Sequence, residues 1–530
     1  MSGPGAEPPA PTGLDEVAVA AREATSLSGE ALDRLIVTLA ALTESGGGRE
    51  TECAALMLLG TKPRVLARLD EHVRRGWPYL PTVAAALGRL ATRLGDPSTG
   101  PALAAVASMN GDGHVRERAV AAMLDMGYPE LMPFLVLRTA DWVKQVRDPA
   151  RAGLALLLAE NAGTYLPAAL PMALVISDRL RGGFARAQAT AALLAAPVYV
   201  RARLAGSAQV RTRRFVYDVS RTQGWLGVND LVATAESDAD GWIRASAAEA
   251  ACREAVWSRR LPILHRLSRS PRAEVRLLAL TGLARAGADE EVAHHLTDPA
   301  PLIRAVARDA AHRTGLDALE RYRSAVGEPV PSTGAIAGLV ETGSGADVPL
   351  LRRLLTHPTP QVRADAVRAL RLLTEVDPEE LIPLLRDPAP AVIRETTLAL
   401  RPFVRRVPTA LPRELLADPR VELRRAGYRL LRDRDGHERL RAALILTVDP
   451  DPRLAKRGRV DLTGTAPDTT RLTWWHPAAP RLVVTADQQA ELLDLTRAAA
   501  ALLGDDTTRL LTTWLEGTGP AGSAPVDSMA

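Results

Sequence analysis

Arginine set at a fixed distance after a turn residue is the most repeated chemical feature of this 530-residue sequence. Asn110 is followed six residues on by Arg116. The same offset joins Asp141 to Arg147, Asp238 to Arg244, Ser270 to Arg276, Asp298 to Arg304, His357 to Arg363 and Asp418 to Arg424. In Asp387-Pro388-Ala389-Pro390-Ala391-Val392-Ile393-Arg394 the offset is seven. A guanidinium presents five donors in a planar fork, so such arginines could line a phosphate groove or hold the carboxylate of a turn. The spacing favours the second use. Each of these arginines follows Val, Ile or Leu, and a small residue usually sits three further on: Ala119, Ala150, Ala247, Ala279, Ala307, Ala366 and Gly427. The expected arrangement is an Asp at a turn that accepts backbone N–H bonds and pairs with an Arg one turn into the next helix. Stacked units would set these pairs side by side in a ladder, which is stronger than isolated surface pairs.

A second set of arginines lies off this register: Arg368, Arg371, Arg401, Arg405, Arg406, Arg425, Arg429 and Arg432. They are expected on the second helices of successive units, as a candidate face for an anionic partner, either phosphates or an acidic protein. Glu395, Glu422 and Asp433 would neutralise part of it. The net charge is only +4, and all but Lys62, Lys144 and Lys456 of the 66 basic residues are Arg. The charge is uneven: residues 1–60 carry three Arg against nine acidic residues, and residues 394–441 carry thirteen Arg against seven. An end-to-end field of that kind can orient a partner.

Other residues that could do chemistry lack the company it needs. His294, His295 and Asp298 are a metal trio on paper, but adjacent side chains diverge on a helix, and neither His-Glu-x-x-His nor paired-Cys spacing occurs. There is no Walker A sequence, no Gly-x-Gly-x-x-Gly opening a helix after a strand, and no Gly-x-Ser-x-Gly. No catalytic residue, metal or cofactor is expected, and the reading leans against an enzyme.

The elements that carry the arginines follow from their period. Successive Arg positions differ by 32, 28, 59, 31 and 30 residues from Arg244 to Arg424. The 59 is two periods, with the hidden unit near Ile336; the gap from Arg147 to Arg244 is about three, with Arg186 and Arg211 as weak candidates. A fixed period in this range predicts stacked pairs of short helices. Pro262, Pro349 and Pro383 fall at the starts or early turns of first helices, and Pro299, Pro358, Pro388 and Pro419 fall in the turns between helices. Near the N-terminus, Leu32, Leu35, Ile36, Leu39 and Leu42 form an amphipathic stripe that Gly46-Gly47-Gly48 should end.

Leu381-Ile382-Pro383-Leu384-Leu385-Arg386-Asp387-Pro388 followed by Val392-Ile393-Arg394 resembles a HEAT repeat. The short period is similar to the HEAT-like variety named for phycobilisome lyases. The resemblance is clear over about 110–440 and extends to 14–110 by extrapolation. It implies an all-α fold, a right-handed α-solenoid of about 13 HEAT-like helical hairpins, whose second helices line a concave face. It also implies that the recurring Asp and Arg are scaffold residues. The family includes scaffolds, adaptors, chaperone-like lyase subunits and some DNA glycosylases, so fold alone does not fix function. HEAT-like glycosylases place an Asp near a Trp, but the residues four after Trp142, Trp225, Trp242 and Trp257 are Val146, Asn229, Ser246 and Leu261.

The remaining segments frame this body. Residues 1–13 and 517–530 are expected to be disordered tails. Residues 441–516 are expected to be a non-repeat cap. In it Val460-Asp461-Leu462, Arg471 to Trp475 and Arg481 to Thr485 have β-type composition, Arg453 to Arg459 is a basic loop, and helices follow at Asp487 to Leu503 and Thr507 to Leu515 with Asp505 or Asp506 as a cap. Cys53 and Cys252 lie far apart in apolar contexts, which suggests reduced thiols and a cytoplasmic setting. The apolar stretch Ala152 to Ile176 is interrupted by Glu160, Asn161, Pro167 and Pro171, so no membrane span is expected. The leading function is a non-catalytic scaffold that binds a protein partner along its concave face. Nucleic-acid binding by the Arg-rich 363–441 face is the alternative, and a lyase-like or chaperone-like subunit acting on a partner protein is the second alternative.

Overall fold

The computed structural model describes residues 13–44, 48–76, 81–94, 96, 99–434, 436–463 and 482–517. Every regular element among them is helical and none is a strand. This is the all-α class of stacked short helices that the period predicts. The chain divides into two compact units, Met1–Ala247 and Ala248–Ala530.

In the first unit, hairpins follow one another from Pro101 onward. Pro101–Ala107 packs on Gly113–Met126, Met132–Arg138 on Lys144–Glu160, Ala162–Ile176 on Gly183–Ala195, and Val198–Ala205 on Val210–Thr222. Upstream, Gly29–Glu44 buries the predicted stripe, with Leu32, Leu35, Ile36, Leu39 and Leu42 all sealed from solvent. Ala, Leu and Val fill the core, and their small volumes let helix axes approach closely. The break expected within residues 152–176 falls at one place only. Lys144–Glu160 ends at Asn161, whose side chain accepts a bond of 3.0 Å from the Thr164 N–H and so starts Ala162–Ile176. Pro167 and Pro171 lie inside that second helix instead of breaking it. Among the described residues no helix is long and apolar enough to cross a membrane.

In the second unit the hairpins are more regular. Short first helices, Leu261–Leu267, Val348–Arg353 and Ala410–Leu416, alternate with longer second helices, Ala273–Arg285, Pro360–Leu372 and Val421–Arg432. Proline starts many of them: Pro262 and Pro349 sit at the first turns of first helices, and Pro301, Pro360 and Pro390 open second helices, where a missing N–H costs nothing. Pro383 is placed differently, after Pro378–Leu381, where the chain tightens into the 3₁₀ turn Ile382–Arg386. The small residue three after each ladder arginine is fully buried at Ala279, Ala307 and Ala366. At Gly427 even a methyl group would lie 2.5 Å from the Pro412 carbonyl and 2.6 Å from the Leu416 nitrogen. These positions are where a second helix rests on its own first helix.

The C-terminal region departs from expectation. Val460-Asp461-Leu462 and the basic run Arg453 to Arg459 belong to one helix, Pro452–Thr463, paired with Gly436–Thr447 as a further hairpin. The position 440, where the repeats were expected to end, falls inside the Gly436–Thr447 helix. Local composition misleads here because Leu462 is buried against neighbouring helices, and that contact sets its conformation. Leu482 to Thr485 form no strand, and Arg471 to Trp475 and Arg481 lie outside the described residues, as do residues 1–12, most of the triple glycine and 518–530. Ala486–Leu503 is capped by Thr485, and Asp505–Glu516 begins after Gly504, which puts Asp505 and Asp506 in its first turn rather than at its cap. Ala486–Leu503 packs on Gly436–Thr447, with Arg441 Nε donating to Glu491 at 2.6 Å, and Asp505–Glu516 packs on Ala486–Leu503.

Candidate functional site

The ladder arginines use both edges of the guanidinium. One edge turns back along the chain: Arg363 donates to the carbonyls of His357 (2.8 Å) and Pro358 (3.1 Å), Arg304 to Asp298 (2.7 Å) and Pro299 (2.9 Å), and Arg424 to Asp418 (3.2 Å) and Pro419 (2.7 Å). The other edge crosses to the next unit. Arg363 grips Asp387 with two bonds of 2.8 Å, Arg276 grips Asp298 at 3.0 and 2.9 Å, Arg424 grips Asp449 at 2.8 and 3.0 Å, and Arg116 grips Asp141 at 3.0 and 3.1 Å. Each receiving carboxylate also accepts the N–H two residues on, as Asp387 does from Ala389 at 2.8 Å. The ionic partner is therefore the acid of the following unit, and the acid six residues back contributes its carbonyl instead. Burial acts to raise the Asp387 pKa, but the Arg363 bonds, the Ala389 N–H and the nearby Arg420 outweigh it and hold the carboxyl below its ordinary range.

Spacing misread three arginines as rungs and missed one. Arg394 is not a rung; it lies against its neighbour Glu395 at 3.2 Å, and Ile393 occupies the sixth position. Arg420 of the next unit takes the vacated role and donates to the Pro388 carbonyl at 3.0 Å. Arg186 and Arg211 are also off the ladder: Arg186 stacks on Phe215 and Arg211 pairs with Asp178 at 3.4 Å. Arg213 is the rung, donating to the Ser207 carbonyl at 2.8 Å and facing Asp238 at 3.8 Å, and the signal was the six-residue offset from Ser207. At the hidden unit, Arg304 grips Glu341, which stands in for the aspartate. The first unit adds a cluster that no motif announced. Arg138 and Asp70, both sealed from solvent, pair with each other, and Arg138 lies 3.3 Å from Asp141. Burial is the largest influence on Arg138 and lowers its pKa despite the two carboxylates.

The eight off-ladder arginines are divided by their surroundings. Arg368 and Arg371 lie on Pro360–Leu372, and Arg425, Arg429 and Arg432 on Val421–Arg432, as predicted. Arg401 is in the 3₁₀ turn Arg401–Phe403, and Arg405 and Arg406 follow in an exposed turn, so these three are not on a second helix. Most have an acid opposite. Arg368 bonds to Glu395 at 3.0 Å with Arg371 4.0 Å from the same group, Arg401 pairs with Asp433, Arg406 is 3.8 Å from Asp377, and Arg432 is 3.5 Å from Asp461. Arg425 and Arg429 have no hydrogen-bond or ion-pair partner among the described residues. Arg429 is half-buried, and burial followed by the like charges of Arg425, Arg401, Arg394 and Arg432 pulls its guanidinium below the ordinary arginine range.

The other singled-out residues are distributed rather than assembled. Asp298 is held by Arg276, and the described residues contain no group of three or more potential metal ligands. Trp225 stacks on Arg201 at 3.9 Å, and Trp242 meets Tyr217 edge-on at 6.1 Å. Trp142 and Trp257 are 67% and 85% exposed, the latter beside a cavity of about 300 Å³ lined also by Cys252, Val256 and Leu278. Cys53 is half-buried, and Cys252 is buried with its thiol pushed up to about 12 by burial.

No family model and no curated protein matches the chain. Solved structures that resemble it include a mutant of Kap121p (13% identity, 91% of this chain and 62% of that one, TM-score 0.30). Yeast importin-beta, Kap95p, matches at 12% identity over 95% of this chain and 74% of that one, with a TM-score of 0.28. UNC-45 from Drosophila melanogaster matches at 13% identity over 79% and 75%, with a TM-score of 0.23. At these TM-scores the superpositions carry no argument. The hairpins and their rungs describe the architecture by themselves: among the described residues it is all-helical and built of repeated helical hairpins.

Proposed function

We propose that this chain is a non-catalytic scaffold that binds a protein partner on the exposed faces of its helical hairpins. The observation that supports this best is the set of large apolar side chains held open on an otherwise close-packed stack: Trp257, Trp142, Tyr199 (68% exposed) and Leu180 (93% exposed). Trp and Tyr are the residues that most often anchor protein interfaces, because they bring large rigid area and a polar tip. The polar groups that could have done chemistry are largely engaged with one another in the ladder. Repetition of a small unit yields extended binding faces, which suits this role. We place the body of repeats ahead of a C-terminal cap formed by Ala486–Leu503 and Asp505–Glu516.

Nucleic acid on the Arg-rich face has less support, because Arg368, Arg401, Arg406 and Arg432 each face a carboxylate. A lyase-like or chaperone-like role would use the same faces, and would show as loss of a partner enzyme's activity on deletion. The test is quantitative affinity capture with the full chain against Trp142→Ala and Trp257→Ala. A partner retained by the wild type and reduced by either substitution, with the helical signal unchanged, supports the scaffold reading. Equal capture by all three proteins, or none above background, overturns it.

A further inference from the structure

Five arginines converge where Pro390–Leu400 and the 3₁₀ turn Arg401–Phe403 lie beside Val421–Arg432. Arg425, Arg429 and Arg432 are four and three residues apart and share one stripe of that helix; Arg394 and Arg401 face them from the neighbouring unit. Three of the five are already matched with acids: Arg394 with Glu395, Arg401 with Asp433 and Arg432 with Asp461. Arg425 and Arg429 are not, and both remain accessible. The two free forks stand on successive turns, roughly 6 Å apart at their Cβ atoms. Alternate side chains on one face of an extended strand repeat every ~6.6 Å. Two acidic residues at that spacing could each engage one fork with paired N–H···O bonds.

We propose that Arg425 and Arg429 are the recognition point for an acidic peptide segment of a partner protein, bound with two alternate carboxylates on the two guanidinium groups. This rests on the scaffold reading and deepens it. Arg429 is half-buried and crowded by the like charges of Arg425, Arg401, Arg394 and Arg432, a local cost that an incoming carboxylate relieves. Nucleic acid fits less well. Its backbone carries closely spaced phosphates and calls for a continuous run of cations, whereas Glu395, Asp433 and Asp461 interrupt this one. Stacking aromatics are also missing from the described part of the stripe; Tyr428 is buried with its hydroxyl donating to Asp461.

The test uses the full chain and three fluorescent probes: a (Glu-Ser)5 peptide, its (Gln-Ser)5 counterpart and a twelve-residue single-stranded oligonucleotide. The expected result is binding of the Glu peptide alone. Arg425→Ala/Arg429→Ala should weaken it about tenfold or more, because charge-assisted paired bonds are lost. Arg425→Lys/Arg429→Lys, which keeps the charge without the fork, should fall between, and the charge-matched Arg269→Ala/Arg353→Ala should bind as the wild type does. Equal weakening by both Ala doubles, tighter binding of the oligonucleotide through the same two arginines, or no binding of the Glu peptide overturns the site. If that happens while tryptophan-dependent capture persists, the scaffold reading stands and only the acidic-peptide site falls.

Discussion

What an arginine does in this chain is set by what its two edges meet. At Arg363 both edges are occupied and the side chain is largely buried, so removing it strands the Asp387 carboxylate and two turn carbonyls together. Arg363→Ala should destabilise the chain by about 3 kcal/mol, the range for breaking a buried pair, and Arg363→Lys should recover only part because an ammonium cannot fork. In a double-mutant cycle with Asp387→Asn, urea unfolding should show a coupling of about 1–3 kcal/mol. The same pairs set an acid dependence. Asp387, Asp141, Asp347, Glu341 and Glu395 are all held below their ordinary range in the folded chain. A depressed folded pKa means the contribution is complete above the unfolded value of about 4 and fades as pH falls through the folded value. Urea midpoints should therefore drop steeply below about pH 4, and less steeply in Arg363→Ala, which has one such pair fewer. Sequence spacing revealed where the ladder arginines are, because six residues is a fixed local geometry. It did not reveal their acids: the rung from Arg276 to Asp298 crosses 22 residues and that from Arg116 to Asp141 crosses 25, so first-helix length blurs any constant offset. Nor could it single out Arg425 and Arg429, since their lack of partners depends on neighbouring units.

At the scale of the helix, the small residue three after most rung arginines fixes how near a second helix can sit to its first. Gly427→Ala should destabilise by about 1–3 kcal/mol through overpacking, even though alanine is the better helix former by about 1 kcal/mol. Gly88→Ala, within Pro81–Arg93 and with nothing within 4 Å of the added methyl, should instead stabilise by about 0.5–1 kcal/mol. Opposite shifts in the thermal midpoints of the two variants would confirm that contact rather than propensity governs Gly427. Arg420→Ala should cost about 1 kcal/mol, because the Pro388 carbonyl loses the donor that replaces the missing rung. The small-residue rule and the proline turns were legible because both are local. The helix Pro452–Thr463 was not, because its conformation is set by packing on Gly436–Thr447 rather than by its own composition.

Across the whole chain, the period is the property the sequence shows most clearly. In the second unit each hairpin packs mainly on its sequence neighbours, so stability there should be nearly a sum of units and nearest-neighbour contacts, with the rungs among those contacts. The period fades where a substitute fills the role, as Glu341 does for Arg304 and Arg420 does for the Asp387 turn. The most direct test of this account is native-state hydrogen exchange, read by mass spectrometry, on Arg363→Ala. The account predicts faster exchange, by about tenfold or more, in Val348–Arg353, Pro360–Leu372 and Pro390–Leu400, with Leu261–Leu267 and Ala273–Arg285 unchanged. Uniform acceleration across all helices, or no change around the broken rung, would contradict it.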